Sequence, residues 1–199
     1  MTGDSAPINL TNHFLIAMPG LEDSLFGKSV VYVCEHSARG ALGLVINKPT
    51  DMNLPALFEK VELGLKRHDL SDNPVFQGGP VQTERGFVLH EPIYVGAENQ
   101  NETLYASTMM ITGGLEMTTS KDVLEALAGG GGPKKVLITL GYAAWGEGQL
   151  ESELGENSWL TVDANREVIF DTPVADRYER ALGLLGLQSW MISNQVGHA

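Results

Sequence analysis

A chain of 199 residues with 43% hydrophobic content is long enough to bury one substantial core, and no Pro/Ser-rich linker divides it, so one domain is expected. The formal net charge of -12 opposes sequence-independent binding to nucleic acid and to anionic membranes, because both depend on Lys/Arg clusters. A single cysteine, Cys34, excludes an internal disulfide framework, and the first residues carry no basic, apolar signal segment, so a cytoplasmic protein is expected.

Residues 1–9 are small and polar and predict a flexible N-terminus. His13–Ala17 then reads as a strand ending at Met18-Pro19-Gly20, and Glu22–Phe26 as one helical turn. Ser29–Glu35 and Ala41–Ile46 are strands joined as a hairpin through His36–Gly40. Asn53 is a good helix cap ahead of Leu54, Leu57, Phe58 and Val61, which predicts a helix to about Leu63.

Beyond a charged loop, Pro74–Gln77 leads into a tight turn at Gly78-Gly79-Pro80-Val81, followed by strands at Gly86–His90 and Ile93–Val95 and an exposed loop over Gly96–Glu102. Thr103–Thr112 alternates like a strand. Thr119 and Asp122 resemble a capping box for a helix that runs to Leu127 and stops at Gly129–Gly132.

Lys134–Leu154 is the densest stretch. Val136–Leu140 is a short apolar run, expected at the centre of a sheet and buried on both faces. A turn with Gly141, Gly146 and Gly148 surrounds Trp145, and an acidic helix begins at Glu147 with Leu150 and Leu154 on one face. A phosphate loop fails here on charge, since Glu147 and Glu151 occupy the helix start, and a nucleophile elbow fails for want of a serine. Trp159–Val162 and Glu167–Phe170 flank Asp163–Arg166 as a hairpin. Thr172, Pro173 and the stripe Val174, Tyr178, Ala181, Leu182 and Leu185 predict a last helix ending at Gly186. Many short strands with a few helices and no βαβ alternation predict an α+β fold, a coiled, mainly antiparallel β-sheet with helices packed against it.

Several blocks together resemble the bacterial YqgE/AlgH family from about Leu10 onward. They are Asn12–Pro19, Gly43–Pro49, Gly78–Val81, Gly86–His90, Gly141–Trp145 with Gly148–Glu151, and Gly197–Ala199. The resemblance implies the same α+β fold and a regulatory role, transcriptional regulation linked to alginate production. It carries over no catalytic or binding residue.

The five histidines never fall at metal-ligand spacing within one element, so neither a metal nor a cofactor is expected. Cys34 and His36 share a face in a regular strand and are a conceivable dyad, against the simpler reading of a buried thiol beside a strand-end histidine. Glu147, Glu151, Glu153 and Glu156 read as a solvated acidic face rather than as glycosidase carboxylates. No complete catalytic constellation emerges, so a non-enzymatic regulatory or protein-interaction domain is expected, with an unknown protein or small-molecule partner. The alternative is a small-molecule-binding protein or hydrolase with its pocket between the Gly78–Val81 and Gly141–Glu151 turns. Gly78, Gly79, Pro80, Trp145, Gly146 and Glu151 are the candidate binding residues.

Overall fold

The computed structural model describes residues 7–93 and 103–193. Its centre is a ten-residue strand, β9 (Val136–Trp145), whose alternate side chains are buried on both sides of the sheet. Leu137 enters one core, Val136 and Ile138 a second, and Ala143 and Trp145 a third. Apolar residues suit so many neighbours, and the one polar residue of Val136–Leu140, buried Thr139, donates its hydroxyl to the Gly141 carbonyl at 3.1 Å.

The preceding strands are β1 (His13–Ala17), β2 (Val30–Ser37), β3 (Gly40–Val45), β4 (Pro49–Asn53), β5 (Pro74–Gln77), β6 (Val81–His90), β7 (Thr108–Met110) and β8 (Glu116–Thr118); β10 (Trp159–Asp163) follows β9. The sheet has ten strands in the order β10-β1-β2-β3-β9-β6-β8-β7, with the β4–β5 pair branching off β9. Among the described residues β5 and β9 pair in parallel and the other ladders are antiparallel.

Helices cover both faces. Phe14, Ile16, Tyr32, Leu44, Leu89 and Leu137 meet Val168 and Ile169 of α4 (Arg166–Phe170) and Tyr178, Ala181 and Leu182 of α5 (Arg177–Gly183). Opposite them, one end packs α1 (Leu54–Lys60) and α2 (Asp122–Ala128), and the other end packs Leu150 of α3 (Gln149–Gly155) against Leu15, Val31, Val33 and Trp145. A short α6 (Ser189–Ser193) closes the described chain. The architecture is the single-domain α+β fold that the strand pattern predicts.

Local signals explain α1 well: Asn53 Oδ1 accepts from the Ala56 amide at 3.0 Å, Pro55 sits in the first turn, and Leu54, Leu57 and Phe58 share the buried stripe. Elsewhere the sequence reading needs correction. Glu167–Phe170 is helix, not the second strand of a hairpin, because Asn165 Oδ1 accepts from the Val168 amide at 3.1 Å and starts a turn whose Val168 and Ile169 face the core. Gly141 is not the start of a turn: β9 passes through it at φ 76 and continues to Trp145. Asp122, not Thr119, organises the start of α2. Its carboxylate accepts from the Ala106 amide at 2.8 Å and from the Ser120 hydroxyl at 2.6 Å.

Thr172 is likewise no cap for α5. Its hydroxyl donates to the Glu167 carbonyl, and a 3-10 turn (Val174–Asp176) precedes the helix. The strand expected over Thr103–Thr112 contracts to β7, and β4 arises where a ladder break was expected. The expected flexible N-terminus over residues 1–9 lies outside the described residues except for 7–9, which are exposed; the Ile93–Val95 strand lies outside them except for Ile93, which is in no strand; and the Gly96–Glu102 loop lies wholly outside them.

Candidate functional site

The six candidate residues separate into two structural groups. Gly78 donates its amide to the Leu140 carbonyl and accepts from the Val45 amide, both at 2.9 Å, so it ties β9 to the end of β3. A Cβ on Gly79 would lie 2.1 Å from the Tyr142 carbonyl carbon, so only glycine permits this approach of two backbones. The Gly78–Val81 turn and the first part of Gly141–Glu151 therefore meet backbone to backbone. The hollow that Gly79 and Pro80 line opens instead toward Phe26 and Lys48 and holds about 90 Å³.

Trp145 belongs to the second group. Its ring is buried in a cluster with Phe26, at 6.3 Å between centroids, and with Trp159, at 6.1 Å in an edge-on arrangement. Half-buried Glu153 sits beside this cluster, and desolvation raises its carboxyl pKa while the nearby Trp159 and Trp145 indole N–H groups partly offset the shift. Both Glu153 Oε2 and Trp159 Nε1 fall short of hydrogen-bond geometry. Gly146 donates its amide to Gln149 Oε1 at 3.0 Å and accepts from the Gln149 amide, a reciprocal closure of the α3 entry.

Glu151 is more than a member of a solvated acidic face. Its Oε1 accepts from Nε2 of His36 at 2.6 Å, and the His36 side chain is sealed from solvent. The Leu10 amide donates to His36 Nδ1 at 3.0 Å, which assigns the proton to Nε2. The local backbone amide at Glu151 and the His36 contact lower the Glu151 pKa.

The dyad of Cys34 and His36 does not form. A bulge between Val33 and Glu35 changes the strand's phase, so Cys34 points into the layer under α5. There its Sγ lies near the Tyr32 carbonyl and Met117 Sδ, and burial pushes its pKa far up. His36 points to the opposite layer. A second buried histidine, His90, meets the Glu91 carbonyl through Nδ1 at 2.8 Å and the Thr118 hydroxyl through Nε2 at 2.8 Å. A carbonyl only accepts, so Nδ1 carries the proton and Nε2 accepts from Thr118. Among the described residues, no group of three or more His, Cys, Asp or Glu is placed to hold a metal ion.

The sequence reading missed the surface around the C-terminal helices. Leu184, Leu185, Trp190 and Met191 are four of the eight large hydrophobic residues exposed in the described chain. They accompany an open cavity of about 840 Å³ lined by Pro173, Asp176, Glu179, Arg180, Leu187 and Trp190 among others. A stripe was legible over Val174–Leu185, but Leu185 turns outward where the helix ends, and α6 lacks a periodic signal of its own.

No described helix is long and apolar enough to cross a membrane. The described fold and sequence have close counterparts. A UPF0301 protein of Variovorax paradoxus is 72% identical over 199 residues, covering all of both chains, and one of an Acidovorax strain is 71% identical over the same span. The solution structure of the AlgH protein from Pseudomonas aeruginosa matches with a TM-score of 0.74 at 44% identity, covering 98% of each chain. A crystal structure of a Corynebacterium diphtheriae protein shares the fold, with a TM-score of 0.68 at 17% identity over 92% of this chain and 93% of its own. The model of the AlgH-like family matches residues 14–190, and the chain belongs to that family.

Proposed function

We infer that the protein is a non-enzymatic regulatory or protein-interaction domain, working in the cytoplasm by docking a partner protein on the α5–α6 surface. One observation carries this reading: exposed Trp190 and Met191 line an open groove, and exposed Leu184 and Leu185 lie in the chain between its lining residues Gly183 and Gly186, whereas Cys34, His36 and His90 are buried and engaged in packing or hydrogen bonds. An exposed apolar cluster rimmed by polar groups is the usual mark of a docking surface, and tryptophan is enriched among anchor residues. The overall charge of -12, with Asp176 and Glu179 on the rim, favours a partner that presents an apolar anchor flanked by basic residues. It also disfavours a second copy of the chain and duplex DNA, so the regulatory role implied by family resemblance is best served through a protein.

The test is a pulldown from native cytoplasm with wild type and a Leu185→Asp/Met191→Asp variant of unchanged melting temperature. The expected result is a protein recovered by wild type alone, then confirmed as a purified pair with salt-sensitive affinity. Equal recovery by both forms, or salt-independent binding, overturns the proposal.

A further inference from the structure

Arg177, at the start of α5, is buried, yet none of the described carboxylates lies within ion-pair distance of it. Nε donates to the Thr172 carbonyl at 3.0 Å and Nη1 to the Ile46 carbonyl at 2.6 Å, while the guanidinium lies 5.0 Å from the Phe76 ring centroid. These contacts fix the group but leave its charge without a counterion. Burial lowers its pKa to about 10, which still leaves it a cation at neutral pH. Nη2 makes no hydrogen bond with the described residues, and it is not among the polar atoms sealed from solvent without a partner. Taking a cation out of water without a partner is costly, so an anion that reaches Nη2 gains both a charge-assisted hydrogen bond and relief of that cost.

The place for one is present. Arg177 lines a cavity of about 280 Å³ where the α4–α5 connection faces the β4–β5 branch, with apolar walls from Leu54, Ile138, Phe170 and Val174. Two carboxylates also line it, which limits the charge it accepts: Asp171 is held by Lys135 at 2.7 Å, and Asp72 stands exposed. One uncompensated positive charge, apolar walls and acidic neighbours favour a monoanion with an apolar body over a dianionic phosphate. We propose that this cavity binds a small organic monocarboxylate, with the carboxylate on Arg177 and its apolar body against Leu54, Phe170 and Val174. The site adjoins the groove assigned to a partner protein, with Thr172 and Pro173 lining both, but Arg177, Phe170 and Val174 do not line that groove, and the two assignments are tested by different variants.

Benzoate, with benzyl alcohol as its neutral counterpart and inorganic phosphate as a dianionic one, probes this directly by amide NMR titration of the full chain at constant ionic strength. The expected result is saturable shifts at Asn73, Thr172, Val174 and the Arg177 Nε–H with benzoate, and at least tenfold weaker responses with benzyl alcohol and with phosphate. Arg177→Gln is expected to abolish the response. Because that change also removes two backbone hydrogen bonds, Val174→Trp serves as a second variant that fills the cavity and leaves Arg177 in place, and it too should lose at least tenfold in affinity. Equal response to benzoate and benzyl alcohol, saturation by phosphate instead, shifts centred elsewhere, no saturable shifts, or undiminished binding in a folded Val174→Trp variant overturns the assignment.

Discussion

His36 on β2 and Glu151 on α3 lie 115 residues apart in sequence and are joined by a 2.6 Å hydrogen bond, with the imidazole buried and the carboxylate reaching it from the surface. The other ring nitrogen accepts from the Leu10 amide, and the His36 amide donates to Thr11 Oγ1 at 3.0 Å. One histidine thus connects the entry of the chain, the end of a hairpin and the acidic helix. The acidic face of α3 is anchored at this point.

Glu151→Ala leaves the buried Nε2–H without an acceptor and is expected to destabilise the fold by about 1–3 kcal/mol. Glu151→Gln keeps a carbonyl oxygen in reach and should cost less than the alanine change. Denaturant melts of the two variants check the order. Equal losses would show that charge, rather than the acceptor, matters to His36.

Cys34 is expected to react with a thiol reagent at least a hundredfold more slowly in the folded protein than after denaturation, since its Sγ is enclosed and burial disfavours the thiolate. Stopped-flow labelling in native buffer and in denaturant measures the ratio. Comparable rates in the two states would place the thiol at the surface.

Which features were legible follows from how far apart their causes lie in sequence. Asn53 with Leu54, Leu57 and Phe58 announces α1 within six residues, and Val136–Leu140 announces its central strand by composition alone. The α4 error has a local cause too: Glu167-Val168-Ile169-Phe170 has strand-like composition, and the side chain of Asn165 decides for helix. The bulge at Cys34 leaves no mark in the sequence, yet it separates the thiol from His36. Glu151 was legible as a candidate residue, but its partner was not. Arg177 was passed over entirely, because one of its carbonyl partners lies 131 residues away.

Trp145→Ala is expected to cost about 3–5 kcal/mol, the range for truncating a large aromatic side chain in a core. Its loss opens a cavity beside Phe26 and Trp159, whose rings lie 5.8 Å apart at 78°. Trp145→Phe should recover part of the loss by refilling the space. Urea melts of both variants provide the check, and wild-type stability in Trp145→Ala would mean that the ring contributes nothing to the core.

His90 gives stability a dependence on acidity whose sign is fixed by its surroundings. Burial lowers its pKa below the ordinary 6.5, partly offset by the Glu91 carbonyl. Below about pH 6.5 the unfolded chain therefore takes up a proton that the native ring resists, and stability falls as pH falls toward the lowered folded value. Glu116, 4.0 Å from His90 Nδ1, works in the opposite sense: desolvation raises its pKa above 4.5, so its contribution weakens as pH rises from 4.5 through the raised value. Between pH 7 and the lowered His90 value, the histidine dominates as long as the Glu116 window ends below it. The measurement is the free energy of unfolding of wild type minus that of His90→Gln, taken from pH 7 to pH 5; subtraction cancels the exposed histidines. The difference should move against wild type as pH falls, while Thr118 retains an acceptor in the glutamine variant. A difference that stays flat would mean that His90 binds its proton equally well in the folded and unfolded chain, and one that moves in favour of wild type would mean that Glu116 stabilises it as the cation; either outcome overturns the lowered pKa.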